Sequence, residues 1–247
     1  MKKALIVIGS VLFLDQLLKL WVKTHMIMGQ EINVLGNWFV LHFTENQGMA
    51  FGMVLGGDYG KLALSLFRIV AVVLLGWYLG DLIKRKADTV MIVSISLIMA
   101  GALGNIIDSA VYGLIFSESY GQIARFMPAD GGYAGFLHGR VVDMLYFPII
   151  DTHLPGWLPI KPFPKPGWMP MFLYDIFPWA NDHFMFFRAV FNIADSSITV
   201  GVAMILLFQR KFFRISKSQE KPEIAAASKP ETVSEEGSGN RDEDSEQ

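Results

Sequence analysis

The stretch FNIADSSITVGVAMILLF, Phe191 to Phe208, decides how this chain folds. Most of it is apolar enough to cross a bilayer. Asp195 nevertheless sits inside it, one turn after Asn192, and a lone carboxylate in hydrocarbon is costly. The stretch is therefore read as a membrane span whose polar face needs a partner. Three other apolar runs, near residues 4–22, 62–83 and 90–112, match the roughly 20 residues that a span requires. The fourth run is placed at 184–208. Half the chain is hydrophobic (52%), with a mean hydropathy of +0.38, beyond what a soluble domain of this length carries.

The net charge of −2 hides a division. Residues 216–247 hold nine acidic and four basic side chains, net −5, which leaves +3 for residues 1–215. This tail is rich in Ser, Glu, Lys and Pro and is expected to be disordered, outside a membrane core formed by 1–215. Basic residues elsewhere flank the apolar runs and form no nucleic-acid-binding stripe. Cysteine is absent, which excludes thiolate nucleophiles, Cys-ligated metals and disulfides. The N-terminal Lys2-Lys3 and apolar run resemble a signal peptide, but the run is long and no small-x-small site follows, so it is read as a span.

Lys2 and Lys3, then Lys84, Arg85 and Lys86, then Arg210, Lys211 and Arg214 fall on one side of four spans. By the positive-inside rule that side, with both termini, is cytoplasmic. Residues 23–61 and 113–183 form the outer loops. The first carries β-branched and aromatic runs around a Gly36-Asn37 turn signal and predicts a hairpin or small sheet on the membrane. The second holds nine of the eleven prolines, with Trp157, Trp168 and Trp179 suited to headgroup level. Phe67, Trp77 and Tyr78 read as lipid-facing or interfacial aromatics. Arg68, near the outer end of the second span, is expected to snorkel to headgroups.

At about 1.5 Å per helical residue, Asp15, Asn105, Asp108 and Asp195 lie roughly 18–27 Å from the cytoplasmic ends of their spans. Three spans thus place polar groups in one outer layer. Asn105 and Asp108, and Asn192 and Asp195, are spaced i, i+3 on one helix face. Gly101 and Gly104 allow close approach beside the first pair. Such a layer is either interhelical glue or a site. Asp143, in the apolar stretch FLHGRVVDMLYFPII, is the candidate second carboxylate for Asp195. Its plainer reading is a loop Asp paired with Arg140. Two carboxylates brought together share a proton and offer an acid and a base at once. His138 and His153 near Asp143 and Asp151 lack metal-ligand spacing, so no metal or other cofactor is expected.

At these residues the chain resembles the lipoprotein signal peptidases, or signal peptidase II. The resemblance rests on DQLLKLWVK (Asp15, Gln16, Lys19), FTENQGMAFG (Asn46, Gly48), GALGNIIDSAVYG (Asn105, Asp108), VVDM (Asp143) and FNIADSSITVG (Asn192, Ala194, Asp195). It implies a mostly α membrane protein, a four-transmembrane-helix bundle with a small periplasmic β-sheet or hairpin platform and an irregular periplasmic insertion. It implies an aspartic endopeptidase of the bacterial inner membrane, acting near the periplasmic face. The reaction would remove signal peptides from diacylglyceryl-modified prolipoproteins before the lipidated cysteine. Asp143 and Asp195 would be the catalytic pair. Asn46, Gly48, Asn105, Asp108, Asn192, Ala194 and Arg140 would line or support the site, with Asp15 and Lys19 more structural. The implied partners are the prolipoprotein and membrane lipid, with no nucleic acid, and the expected state is a monomer. Two departures stand out. Ser109 follows Asp108 where the family often has Arg, so Arg140 or Arg188 is expected to partner Asp108. The loop 113–183 is longer than the compact family pattern and resembles Bacteroidetes-like members. A transporter or proton relay using Asp15, Asp108 and Asp195 is the rival reading, and a non-catalytic scaffold is a third.

Overall fold

The computed structural model describes residues 1–46, 57–148, 150–153, 183–186 and 189–209. Gly48, Trp157, Trp168, Trp179, Arg188 and the tail lie outside the described residues, as do the side chains of Asp151 and His153. Met1–Leu207 packs as one unit, helices and sheet together.

Helix α1 (Lys2–His25) shows how the sequence meets its solvent. Between its ends most exposed positions are apolar, among them Leu5, Ile6, Phe13 and Leu17, while Asp15, Lys19 and Lys23 are buried. A helix with charge inside and hydrocarbon outside is stable only where the surroundings are themselves apolar. Helix α2 (Gly57–Lys84) repeats this, exposing Phe67, Val70, Val73, Leu74 and Trp77. Tyr78 instead packs against the cluster of Ala4, Leu79, Leu82 and Ile95. Helix α3 (Thr89–Ile107) begins at Asp88, whose side chain accepts from Val90 N at 2.9 Å and satisfies one orphan donor of the first turn. Its inner face is small and polar, with Ser94, Ser96, Ala100, Gly101 and Gly104 buried. Ser94 and Ser96 return their hydroxyls to the carbonyls four residues back, each at 2.7 Å, so neither is an orphan in the bundle.

Among the described residues, the three helices long and apolar enough to span a membrane are these, with α3 continuing to Ile115. Its continuation is a π-helical turn, Asp108–Tyr112, and the single turn α4 (Gly113–Ile115). The last helix, α5 (Ile193–Gln209), is shorter within the described residues. The expected start of this span at 184 is thus corrected. His183–Phe186 forms strand β5, and Val190–Phe191 forms strand β6. Apolar content cannot separate strand from helix here; Asn192 makes the break, because its side chain caps the helix that follows.

The small sheet draws on both outer loops. Strands β1 (Glu31–Leu35) and β2 (Phe39–Asn46) form the expected hairpin, with Gly36 at φ 53° in the turn. Strand β3 (Val141–Tyr146) joins from the second loop, and the antiparallel order is β1-β2-β3-β6. Strand β4 (Ile150–His153) pairs with β5 as a separate ladder. In the β2–β3 register Thr44 faces Asp143 and Asn46 faces Val141. Alternation then puts Phe43, Glu45, Val142 and Met144 on the opposite face. Phe43, Val142 and Met144 pack with Val22, Met26, Tyr112 and Phe116 as the core between sheet and helix ends.

The described part of the insertion after α4 is irregular, but backbone hydrogen bonds tie it down. Met127 N donates to Ile115 O at 2.7 Å, Tyr133 N to Phe116 O at 3.0 Å, and Ala134 N to Gly113 O at 2.9 Å. These bonds fold it back over the end of α3. Met28 N also reaches Ser119 O at 3.3 Å, tying it to the segment after α1.

Candidate active site

The site grows from α1. Asp15 and Lys19 lie one turn apart and pair at 2.8 Å, and Lys19 also pairs with Asp108 of the π turn at 2.8 Å. None of the three side chains is more than 1% exposed. Such burial is tolerable only because every oxygen and proton is used. Gln16 donates to Asp108 Oδ1 at 2.9 Å and accepts from Tyr112 OH at 3.2 Å. Asp108 Oδ2 also takes Val142 N at 3.2 Å, which fixes strand β3 against the helix end.

Asp15 Oδ1 accepts from Ala194 N at 2.9 Å, in the first turn of α5. Asn192 caps the same turn, its Oδ1 accepting from Asp195 N at 2.8 Å. Two otherwise unpaired donors of the helix start are thereby satisfied by side chains from two elements. Asp195 consequently sits in the first turn, where the helix dipole favours a carboxylate.

The close contact of α3 and α5 depends on glycine. A Cβ on Gly101 would fall 2.2 Å from Ala194 O and 2.6 Å from Ser197 Oγ, and one on Gly201 would fall 2.7 Å from Ser94 O. With these positions bare, Asn105 reaches across and donates from Nδ2 to Asp195 Oδ1 at 2.8 Å. Its Oδ1 accepts from Lys19 Nζ at 3.1 Å and Asn192 Nδ2 at 3.2 Å, which orients the amide.

Asp143, 2% exposed on β3, belongs to the same network. Asn192 Nδ2 donates to its Oδ1 at 2.7 Å, and Asn46 Nδ2 donates to its Oδ2. Asn192 therefore holds Asp143 with its amide nitrogen and caps Asp195 with its amide oxygen. Burial first, and the Asp195 charge second, push the Asp143 carboxyl up to about 8. A carboxyl so raised keeps its proton at neutral pH beside a half-buried neighbour on a helix start.

Of the residues singled out by sequence, Asp15, Lys19, Asn46, Asn105, Asp108, Asn192, Ala194, Asp143 and Asp195 come together here; Gly48 is outside the described residues. Arg140 does not join them, and neither role expected of it holds. It pairs with Glu118 at 2.5 Å and Glu45 at 3.1 Å, on the other side of the sheet from Asp143. Lys19 is the cation that contacts Asp108. The physical reason is access: Asp108 is fully buried between α1 and β3, whereas Arg140 precedes β3 and lies over the Tyr133 ring at 4.9 Å. Glu45 is completed by buried Lys23 and by Ser119 Oγ at 2.9 Å. This second ionic cluster was missed because its members are spread over α1, β2 and the insertion, with no common spacing.

Arg68, expected to snorkel to headgroups, also has the site's acids as neighbours in charge. Its guanidinium interacts electrostatically with Asp195, Asp108 and Asp143. Among the described residues, no group of His, Cys, Asp and Glu is arranged to hold a metal.

The family model for signal peptidase (SPase) II matches residues 7–211. A lipoprotein signal peptidase of Porphyromonas gingivalis (strain ATCC 33277) is 47% identical over 205 residues, covering 83% of this chain and 80% of that protein. One from Amoebophilus asiaticus is 36% identical over 200 residues, covering 80% and 73%. A solved bacterial membrane enzyme, determined in meso at 2.3 Å, shares the fold with a TM-score of 0.51 at 22% identity, over 85% of this chain and 89% of that one. On the extent of the family match and of these identities, the chain belongs to the signal peptidase II family.

Proposed function

We propose that this chain is an aspartic endopeptidase that removes signal peptides from lipid-modified prolipoproteins, with Asp143 and Asp195 as its catalytic pair. The carrying observation is the amide network. Asn192 binds Asp143 and caps Asp195, while Asn105 binds Asp195 and Asn46 binds Asp143. Two carboxyls on separate elements are thus held by one set of donors, as shared-proton chemistry requires. The names of the relatives supply the substrate class.

The chemistry follows from one proton on the pair. The ionised carboxylate takes a proton from water, and the resulting hydroxide attacks the scissile carbonyl carbon. The protonated carboxyl supplies a proton to the other side of the reaction, ultimately to the leaving amine as the C–N bond breaks. The water's two hydrogens and the pair's proton are all accounted for, and the pair regains its starting charge. Asn46, Asn105 and Asn192 hold the carboxyl oxygens; Asp15, Lys19 and Asp108 lock α1 and α3 to the start of α5.

The substrate's diacylglyceryl group keeps its scissile bond in the outer leaflet. The site lies at the ends of α1 and α3 that meet the sheet, opposite the short Arg85–Asp88 turn. That placement supports an inner-membrane, multi-pass chain with both termini cytoplasmic and the site near the periplasmic face. The working unit is residues 1–215, acting as a monomer in contact with lipid without a cofactor, and 216–247 is a cytoplasmic tail. The relay alternative finds no support among the comparisons.

Purified protein incubated with a lipid-modified prolipoprotein tests the reading. The shortened product appears with wild type. Asp143→Asn and Asp195→Asn each abolish it while thermal melting shows the fold retained. Cleavage by either folded variant would end the assignment of the pair.

A further inference from the structure

We infer that Arg68 is a positioning residue of this site, its guanidinium acting through charge to keep one carboxylate of the Asp143–Asp195 pair ionised. The inference rests on the dyad reading and extends it to an element, α2, from which no site residue was expected.

The phase of α2 is decisive. Lys61 and Ser65 lie four residues apart, and both turn inward: Lys61 Nζ donates to His138 O and Ser65 Oγ to Leu137 O at 3.2 Å. Arg68 and Val72 continue this face at helical spacing, and Val72 is buried at 9% exposure. The positions beside Arg68, Leu66, Phe67 and Val70, are 49–69% exposed and face outward. The segment that receives Lys61 and Ser65 runs directly into the site. Gly139 N donates to Ser109 O at 2.8 Å, and a Cβ on Gly139 would lie 2.2 Å from Asp108 O. Arg68, one turn further along the same face, is accordingly brought to the three carboxylates with which it interacts: Asp195, Asp108 and Asp143.

The charges around it decide what it does. From the π turn comes Asp108, from β3 Asp143 and from α5 Asp195. The other charges on the packed elements are Asp15 and Lys19 on α1, His138 before β3 and Lys61 on α2 itself; Arg140 lies across the sheet with Glu45 and Glu118. Lys19 is in contact with Asp15 and Asp108, Arg140 with Glu45 and Glu118, and Lys61 with a backbone carbonyl. The Lys19 charge also acts on Asp143, and Arg68 acts on both members of the pair. A fixed positive charge there favours the ionised member at neutral pH and so keeps the pair in its one-proton state.

The test is the pH–rate profile of the full chain in lipid, comparing wild type with Arg68→Gln and Arg68→Lys. Without the guanidinium both limbs of the profile move to higher pH, on the order of one unit. The Arg68→Gln to wild-type activity ratio therefore climbs with pH, while Arg68→Lys keeps the wild-type limbs. A lesion that only loosened packing lowers activity by a constant factor, so a flat ratio would overturn the inference. Should Arg68→Gln melt far below wild type, Arg68→Lys decides: displaced limbs in that folded variant would equally overturn it. Asp143→Asn and Asp195→Asn run alongside. If either retains cleavage, the dyad reading itself has failed; if both are dead and the ratio is flat, only the role of Arg68 has failed.

Discussion

Replacing Lys19 by Met probes the junction on which the site is built. Met fills nearly the same volume and removes one charge. Lys19 contacts Asp15 and Asp108 at 2.8 Å each and Asn105 at 3.1 Å, with all three ionic side chains at 1% exposure or less. Breaking a buried pair by removing one partner costs about 3–5 kcal/mol, because a buried charge is left uncompensated. Here two carboxylates lose the same cation, so the upper part of that range applies, limited by protonation of one of them. For a chain of this size each kcal/mol moves the melting midpoint by about 2–4 °C, so Lys19→Met should melt on the order of 10 °C below wild type. Cleavage should also fall, since Asn105 loses one of the two donors that orient its amide toward Asp195. Neutralising the whole cluster, as Asp15→Asn/Lys19→Met/Asp108→Asn, should recover part of the lost stability. Thermal melting in one detergent, with cleavage measured in parallel, is the assay. A midpoint within about 2 °C of wild type, or no recovery in the triple variant, would refute the triad as the coupled anchor of the site.

Two further outcomes are expected. Asp143 is raised to about 8 in the folded chain, against roughly 3.9 for a free Asp, so its proton contributes stability that is complete below the lower value and lost as pH rises through the higher. Wild-type melting should decline as pH rises from about 4 to about 8 and Asp143→Asn should flatten the decline; parallel melting curves against pH would contradict it, and wild-type cleavage should fall as pH rises past about 8. Gly101→Ala, whose Cβ would meet Ala194 O at 2.2 Å, should cost about 1–3 kcal/mol of overpacking and weaken cleavage by displacing Asp195 from Asn105, read by melting and turnover together.

The spans and the polar layer were legible because both are one-dimensional signals: apolar length, and ionisable residues where lipid forbids them. Asp15, Asn105, Asp108 and Asp195 could be grouped by depth alone. The hairpin was legible from Gly36-Asn37. What sequence could not supply was pairing across distance. Strand β3 looks like any short apolar run until its ladder with β2 is seen. The start of α5 was overrun because Phe184–Phe186 is as apolar as a helix, and the cap at Asn192 carries its signal in a hydrogen bond rather than in composition. Arg140 or Arg188 was expected to partner Asp108 because Ser109 stands where the resembled family often has Arg. The side of a sheet on which a residue falls is a matter of register, and Glu45 and Glu118 were waiting on the other side.

The double duty of Asn192 has a consequence for biosynthesis. Its amide joins the strand-borne acid to the acid of the final span, and it lies after both outer loops in chain order. A ribosome that has delivered everything up to Phe191 has made a polypeptide with one acid of the two and without the clasp that seats it. On the proposed pairing, the two acids can therefore meet only after α5 has been made, and a chain that stops before Asn192 carries one acid of the two.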